Sequence, residues 1–531
     1  MLDRRTLTLS SLALPLLYAE LRSSRGFAQV GAVEDDAGVA SGNPTADSVV
    51  LWTRVPAAAQ TAGHLGDGIS VRYEVATSET FEPASVVVRG ETATGAACDY
   101  TVKVLATGLA AFTTYYYRFQ TASGYASVVG RTKTAPAPGV TPPSLKFALV
   151  SCQNFSEGYY AAYLHLAREA VDYCIHLGDH IYEHDDLKGR RGAVDPLDGA
   201  AAQTLDDYRR KHRQYLSDPA WREARRLFAW VDLWDDHEVY NDYSGAADMP
   251  KDPARFRGGY QAFLEYMPIM GEIVVDPAGR PQVTLQRSQA FGDLVELFVL
   301  DERQYRMANP CGGSSYFARG CEAMRAPEHS MLGTPQRDWL KESLGASRAT
   351  WKLVLNEVVM APMRLPAFGA EPTFGATAER RGSTYVDLDA WDGFPSERHE
   401  ILRFIEEHAV ANVVVCSGDI HAALNATLYS DPLRHSGPAA AVEIVTTSIS
   451  SKTIYERVGA VVGGTLEAVV HANNKHLVWA DLRSHGYAVL TVTAEGIDVR
   501  HMKVDSVKHP TSPLRLARRS QIPAGSSRFL S

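Results

Sequence analysis

The chain has 531 residues, of which 45% are hydrophobic, 22% charged and 9% aromatic. That composition suits a globular protein with one substantial domain and one or two smaller ones, and it excludes disordered, collagen-like and coiled-coil readings. A formal net charge of −9 argues against capture of nucleic acid or an anionic membrane by bulk electrostatics, so an anionic substrate needs local cations or metals.

Residues 1–28 read as a twin-arginine export signal, with Arg4-Arg5, an apolar run over 7–19 and small residues ending at Ala28. The run contains Thr8, Ser10 and Ser11 and falls short of the roughly 20 residues of a membrane span, so no transmembrane segment is expected. Glu20, Arg22 and Arg25 lie before the cleavage point and leave a cytosolic N-terminus as the alternative. Six cysteines are too few to scaffold a chain of this length. Cys311 and Cys321 bracket Gly312-Gly313-Ser314-Ser315 and can close a local disulfide in an exported protein. Cys174 and Cys416 fall inside apolar strand-like runs and read as inert buried thiols.

Residues 29–134 carry one short strand pattern after another, at 48–53, 69–76, 84–88, 99–105, 114–120 and 126–132, with turn residues between. Such spacing predicts a β-sandwich. Leu109, Thr113 and Tyr115 have the spacing of a tyrosine corner, so this part resembles a fibronectin type III-like module, with Ala111 where a proline is usual. Tyr115 to Tyr117 read as strand packing rather than as a binding stripe. The Pro- and Thr-rich stretch 132–143 reads as a linker.

From 144 to 505 the pattern becomes strand, loop, helix. A strand at 146–150, a helical period over 159–170 and a strand at 171–177 make a βαβ unit of a mainly parallel sheet. Further strands are expected at 228–233, 295–300, 352–355, 413–416 and 442–445, and a hairpin of 486–493 with 497–502 is expected to continue a second sheet. Residues 506–531 form a tail whose Arg515, Arg518 and Arg519 suggest a solvated helix.

Polar chemistry follows several of these strands: Ser151-Cys152-Gln153, Gly178-Asp179-His180-Ile181-Tyr182, Trp234-Asp235-Asp236-His237-Glu238, Asn356-Glu357 and Ser417-Gly418-Asp419-Ile420-His421. Ligand sites of α/β sheets lie beyond the carboxyl ends of strands, so the recurrence is a site prediction. In their order these segments resemble the ligand series of dinuclear metallophosphoesterases, with Asp236, Asn356 and Asp419 replacing several members. Gly-Asp-x-x-Tyr is the variant of purple acid phosphatases, where tyrosinate binds Fe(III). Together with Gly38-Val-Ala-Ser-Gly42 and Leu300-Asp-Glu-Arg-Gln-Tyr-Arg306, the set is similar to the PhoD-like alkaline phosphatases and phosphodiesterases over residues 38–505.

The resemblance implies a four-layer αββα catalytic domain with a mixed metal centre. Asp179 would bridge two metals. Cys152, Tyr182 and His421 would complete a shell for Fe(III), since thiolate and phenolate suit a trivalent ion, with zinc on Cys152 as runner-up. Asp179, Asp236, Asn356 and Asp419 would give the second ion an all-oxygen shell, suited to Ca²⁺ or to Mn²⁺ or Mg²⁺. A metal-bridged hydroxide would then hydrolyse small phosphomonoesters, phosphodiesters or both. His237 is expected to face the phosphate as hydrogen-bond donor or general acid, oriented by Asp235 or Glu238. His180 is expected either to contact phosphate when protonated or to support the loop from behind.

Asn241 and Asp242 can orient the metal loop or cap an ordinary turn. Asp301, Arg303 and Arg306 can guide an anion or form structural ion pairs. The resemblance also lets a C-terminal segment cover the site. A monomer without a nucleic-acid module is expected, exported to the periplasm or medium. Two alternatives remain at this point: a phospholipase D-like phosphodiesterase, and a non-catalytic surface-binding protein.

Overall fold

The computed structural model describes residues 37–60, 68–186, 188–191, 196–365, 384–431 and 438–530; the proposed export signal lies outside them. The first strands are β1 (Val39–Gly42), β2 (Ser48–Arg54), β3 (Ile69–Ala76), β4 (Val86–Thr94), β5 (Thr101–Thr107), β6 (Thr114–Thr121) and β7 (Gly130–Lys133). Then follow β8 (Leu145–Val150), β9 (Tyr173–Leu177), β10 (Ala229–Leu233), a small ribbon of β11 (Val274–Val275) and β12 (Pro281–Gln282), β13 (Arg287–Phe291) and β14 (Val295–Val299). The remainder are β15 (Tyr316–Arg319), β16 (Trp351–Leu355), β17 (Arg364–Leu365), β18 (Thr384–Asp387), β19 (Val413–Ser417), β20 (Ala423–Leu428) and β21 (Ala441–Val445). The last are β22 (Leu477–Asp481), β23 (His485–Val492), β24 (Gly496–Val504) and β25 (Leu514–Pro523).

Two large sheets stack face to face. One has nine strands in the order β25-β24-β23-β8-β9-β10-β1-β2-β5, the other seven in the order β13-β14-β16-β19-β21-β20-β22. Strands β8, β9 and β10 run parallel, as do β14, β16, β19 and β21. Their continuous apolar runs follow from burial on both faces. Phe147, Leu149, Ile175, Leu177, Val231 and Leu490 of one sheet meet Leu297, Val299, Leu353, Leu355, Val414 and Ile444 of the other in a dry seam. Helices Ala161–Leu166, Leu205–Leu216, Pro219–Leu227 and Pro253–Tyr266 cover the outer face of the first sheet; Gly333–Ala346, Pro395–Glu407 and Ala460–Asn473 cover the second. The result is the four-layer αββα arrangement. Helix ends are read locally: Asp218 caps Pro219–Leu227, its Oδ1 accepting from Ala220 N at 2.8 Å with proline in the first turn.

The N-terminal strands do form a sandwich, but one of its sheets is shared. β4-β3-β6-β7 packs through Val71, Val75, Tyr115, Tyr117 and Phe119 onto Val39, Val49 and Leu51 of β1 and β2. β1 in turn pairs in parallel with β10, Ser41 opposite Ala229, so β1, β2 and β5 extend the catalytic sheet. Trp52 Nε1 donates to Glu265 O at 2.7 Å and the Arg225 guanidinium lies 4.4 Å above the Trp52 ring, tying sandwich to helices. The tyrosine corner is present, Ala110 N donating to Tyr115 Oη at 2.8 Å. The expected linker is pinned at its start: Ala135 is buried and its N–H donates to Thr45 O at 2.8 Å.

Two expectations need correcting. The C-terminal hairpin joins the first sheet, β23 pairing antiparallel with β8, because its apolar residues complete the seam. The tail is no helix: Leu514–Pro523 is the edge strand β25, and it contributes nothing to the cavity described below. Its arginines pair along the strand, Arg515 with Asp505 and Arg519 with Asp498, which blunts an open edge.

The seam's close packing is testable. Leu353 is fully buried between the sheets, and Leu353→Ala should cost about 2–5 kcal/mol, read as a lowered urea midpoint. An unchanged midpoint would mean the sheets are not tightly packed there.

Candidate metal centre

The site is built from turns at the carboxyl ends of parallel strands. Ser151-Cys152 follows β8, Gly178-Asp179 follows β9, Asp235 to Glu238 follow β10, Asn356 follows β16 and Gly418 to His421 follow β19. Backbone bonds lock neighbouring turns together: Cys152 N to Gly178 O at 3.2 Å, Asn356 N to Cys416 O at 2.9 Å and Gly418 N to Glu357 O at 3.0 Å. A bridge between Ser151 and Ser448 joins the two sheets at this edge. Gly178 has φ +96° and a Cβ there would lie 2.4 Å from Asp235 Cβ, so only glycine lets these loops approach.

Cys152, Asp179, Asp242, Asp419 and His421 all have left-handed backbones, with φ of 56, 61, 56, 61 and 54°. For residues other than glycine this costs on the order of 1–3 kcal/mol each and persists only where surroundings enforce it. Glu238 is one enforcer. Its carboxylate accepts from the backbone N–H of His180 at 2.5 Å, Asp235 at 2.6 Å and Asp179 at 3.3 Å.

The turns bring most of the predicted ligands together. Donor atoms of Cys152, Asp179 and His421 lie within 4.8 Å of one another, as do those of Asp179, Asp236 and His237, and those of Asp235, Asp236 and Asp419. Tyr182 Oη donates to Asp179 Oδ2 at 2.6 Å and lies 3.1 Å from His421 Nε2. The Lys452 carbonyl sits 2.8 Å from His421 Nδ1, which places the proton there and leaves the Nε2 lone pair facing the centre. Asn356 Oδ1, Asp179 Oδ1 and Asp236 Oδ1 are buried without a hydrogen-bond partner.

Those orphaned oxygens are costly unless a cation takes them. Burial, reinforced by neighbouring carboxylates, pushes the Asp179 and Asp419 carboxyls well above the usual range, although His237 opposes it at Asp179 and Arg303 at Asp419. Burial and then Asp179 push the Cys152 thiol and the Tyr182 phenol up as well. Bound cations reverse all these shifts and displace protons, so the donor set fits a dinuclear metal site.

The second sphere differs from expectation. His237 Nδ1 is 2.6 Å from Glu183 Oε2, so Glu183, and neither Asp235 nor Glu238, orients this ring. Burial lowers the proton affinity of His237, but Glu183, Asp236 and Asp179 outweigh it and hold the imidazole well above its usual pKa. Glu183 follows Tyr182 directly, an adjacency that could have flagged it. Asp235 instead pairs with Arg303, whose fully buried guanidinium also meets Asp389, Asp419 at 3.2 Å and Asp236 at 3.7 Å. Arg303 and Arg306 are therefore structural ion-pair partners, Arg306 Nη2 lying 2.6 Å from Asp389.

His180 turns away from the site. Its ring stacks on His176 at 3.6 Å, lies 3.2 Å from the Leu233 carbonyl and is pushed down to a pKa of about 3 by burial and then by Arg225. It supports the loop from behind and makes no contact with the cavity. Asp242 does orient the metal loop, its N–H donating to Asp236 Oδ2.

Over the centre opens a cavity of about 310 Å³. Asp179, Asp236, His237, Asp419 and His421 line its floor, and the ribbon strand β15 adds Tyr316 and Phe317, aromatic residues that no motif had singled out.

The PhoD-like phosphatase family model matches residues 147–501, and the model of the PhoD-like phosphatase N-terminal domain matches residues 22–136. Alkaline phosphatase D of Bacillus subtilis (strain 168) is 38% identical over 424 residues, covering 78% of this chain and 69% of that protein. A solved structure of PhoD superposes with a TM-score of 0.79 at 32% identity, covering 94% of this chain and 92% of that one. With its strand-end donors, its αββα layers and these relatives in agreement, the chain belongs to the PhoD-like phosphatase family and is a phosphoric ester hydrolase.

Proposed function

We propose that the centre holds Fe(III) on Cys152, Asp179, Tyr182 and His421, and Ca²⁺ on Asp179, Asp236, Asn356 and Asp419, and that it cleaves small phosphomonoesters and phosphodiesters. The observation that carries this is the convergence of Tyr182 Oη, Asp179 Oδ2 and His421 Nε2 beside a buried Cys152, with the orphaned oxygens of Asp179 and Asp236 in the adjoining donor group and that of Asn356 buried after β16. Two anionic donors, thiolate and phenolate, suit a trivalent ion; oxygen-only donors suit a hard divalent one. Bound there, the cations supply Lewis acidity toward phosphoryl oxygens and toward water.

The chain's own residues do the rest. His237 lines the cavity with Nδ1 held by Glu183, which leaves Nε2 to donate toward a phosphoryl or leaving-group oxygen. Glu183, which lies outside the proposed ligand set, favours the protonated form of the ring that acts as the acid. The alternative of a non-catalytic binding protein gives way to the hydrolase assignment, whereas a phospholipase D-like preference for diesters differs only in substrate. The chain acts as a monomer after twin-arginine export. The Cys311–Cys321 disulfide supports an oxidising compartment, and among the described residues no helix is long and apolar enough to cross a membrane.

Protein purified without chelator should contain near-stoichiometric iron together with calcium, and show a visible charge-transfer band that Tyr182→Phe removes. Zinc alone would overturn the ligand assignment. Paired rates on p-nitrophenyl phosphate and bis-p-nitrophenyl phosphate then decide between monoester and diester preference. His237→Asn should lower kcat by about 10²–10⁴-fold with metal content unchanged, and Glu183→Gln by a smaller factor. Replacing Arg4 and Arg5 by lysine should retain the protein in the cytoplasm, as fractionation would reveal.

A further inference from the structure

The cavity has two chemically distinct parts. Its floor is carboxylate and imidazole, while its walls include Phe317, Ile420, Ile454 and Val458. Phe317 stands out among these. Its side chain belongs to none of the hydrophobic clusters among the described residues, and the residue is 45% exposed. Single exposed apolar residues are ordinary on a protein surface. A φ of +51° crowds the Cβ of a bulky residue against the backbone, and of the four Phe and Tyr residues that adopt this region among the described residues, Phe81, Tyr100, Phe112 and Phe317, only Phe317 lines the cavity.

The segment around Phe317 is held on both sides. The Cys311–Cys321 disulfide closes the loop, and both cysteines pack against the small cluster of Met324, Tyr385 and Leu388. Strand β15 pairs with β18, Tyr316 opposite Asp387. Tyr316 Oη donates to Asp242 Oδ1 at 2.9 Å, and Asp242 donates from its backbone to the predicted ligand Asp236. The ribbon is thus tied to the metal loop, and it holds an unfavourable backbone conformation at the residue whose ring faces the cavity. Among the described residues, no hydrophobic cluster takes up that ring.

We propose that Phe317 is a specificity-determining residue: its ring is the face against which the organic group of the ester stacks, so the site prefers phosphoesters bearing a planar aromatic substituent. Aromatic rings gain from offset or edge-to-face contact beyond the area they bury. A volume near 310 Å³ is at the small end of ligand pockets, so a single ring beside the phosphoryl group fits the available space. The inference rests on the hydrolase reading of the same centre and adds the substrate class.

The test compares phenylphosphonate and methylphosphonate as competitive inhibitors of p-nitrophenyl phosphate or bis-p-nitrophenyl phosphate hydrolysis by the metal-loaded enzyme. The phosphonates cannot be cleaved, so leaving-group reactivity does not enter. Phenylphosphonate should bind about tenfold more tightly, Phe317→Ala should bring the two inhibition constants together by weakening only the phenyl compound, and Phe317→Tyr should retain the preference. Equal constants in the wild type, or a ratio that Phe317→Ala leaves unchanged, would overturn the proposal. Absence of any ester turnover by metal-loaded wild type would instead overturn the hydrolase reading, and this inference with it.

Discussion

Everything at the catalytic edge depends on placing many negative charges in one dry place. Asp179, Asp235, Asp236 and Asp389 are buried and Asp419 is half-buried beside them, and their mutual repulsion has to be balanced by cations inside the protein. Arg303 is the permanent counter-charge, fully buried among Asp235, Asp236, Asp389 and Asp419. Arg303 together with Arg306, which pairs with Asp389, cannot neutralise all five. Burial, reinforced by the remaining imbalance, raises the carboxyls of Asp179 and Asp419, buried oxygens are left without a hydrogen-bond partner, and metal ions would relieve both. The same charge that destabilises an empty site favours a bound cation.

The second constraint is backbone geometry. Parallel strands end at one edge, and the chain must turn sharply there to aim side chains inward. Left-handed residues at Cys152, Asp179, Asp419 and His421 make those turns, and they are affordable because two packed sheets and the Glu238 carboxylate hold the loops. The dry seam therefore serves function as well as stability: it is the rigid base that lets strained turns persist. The N-terminal sandwich contributes to the same base, since its β1 and β2 widen the sheet that carries three of the turns.

His180 and His237 illustrate how adjacent motif residues can differ. Each follows an aspartate of the metal series, yet the turn at Asp179 sends the His180 ring against His176 and Leu233, whereas the turn at Asp236 directs His237 to Glu183 and the cavity. Burial and then Arg225 keep the His180 ring neutral although Asp232 lies 3.8 Å from its Nε2, whereas Glu183, Asp236 and Asp179 outweigh burial at His237 and favour its charged form. Proximity in sequence to a ligand is thus no guide to which face a side chain takes.

The sequence by itself determined the donor types and their order. Cys152, Asp179, Tyr182, Asp236, Asn356, Asp419 and His421 stood out as candidate ligands because donor side chains recur after strand ends, which show in hydrophobic patterning, in the order that the resemblance to metallophosphoesterases implies. The alternation of strands and helices gave a mainly parallel sheet, and the four-layer arrangement came from the resemblance to metallophosphoesterases. Only the tertiary structure decided that Glu183 orients His237, that Arg303 is locked among carboxylates, that the tail is an edge strand, and that Phe317 reaches the cavity. Those outcomes depend on contacts between distant segments, where direction and burial are set by packing, and no local pattern encodes which of several acidic or aromatic residues will end up nearest.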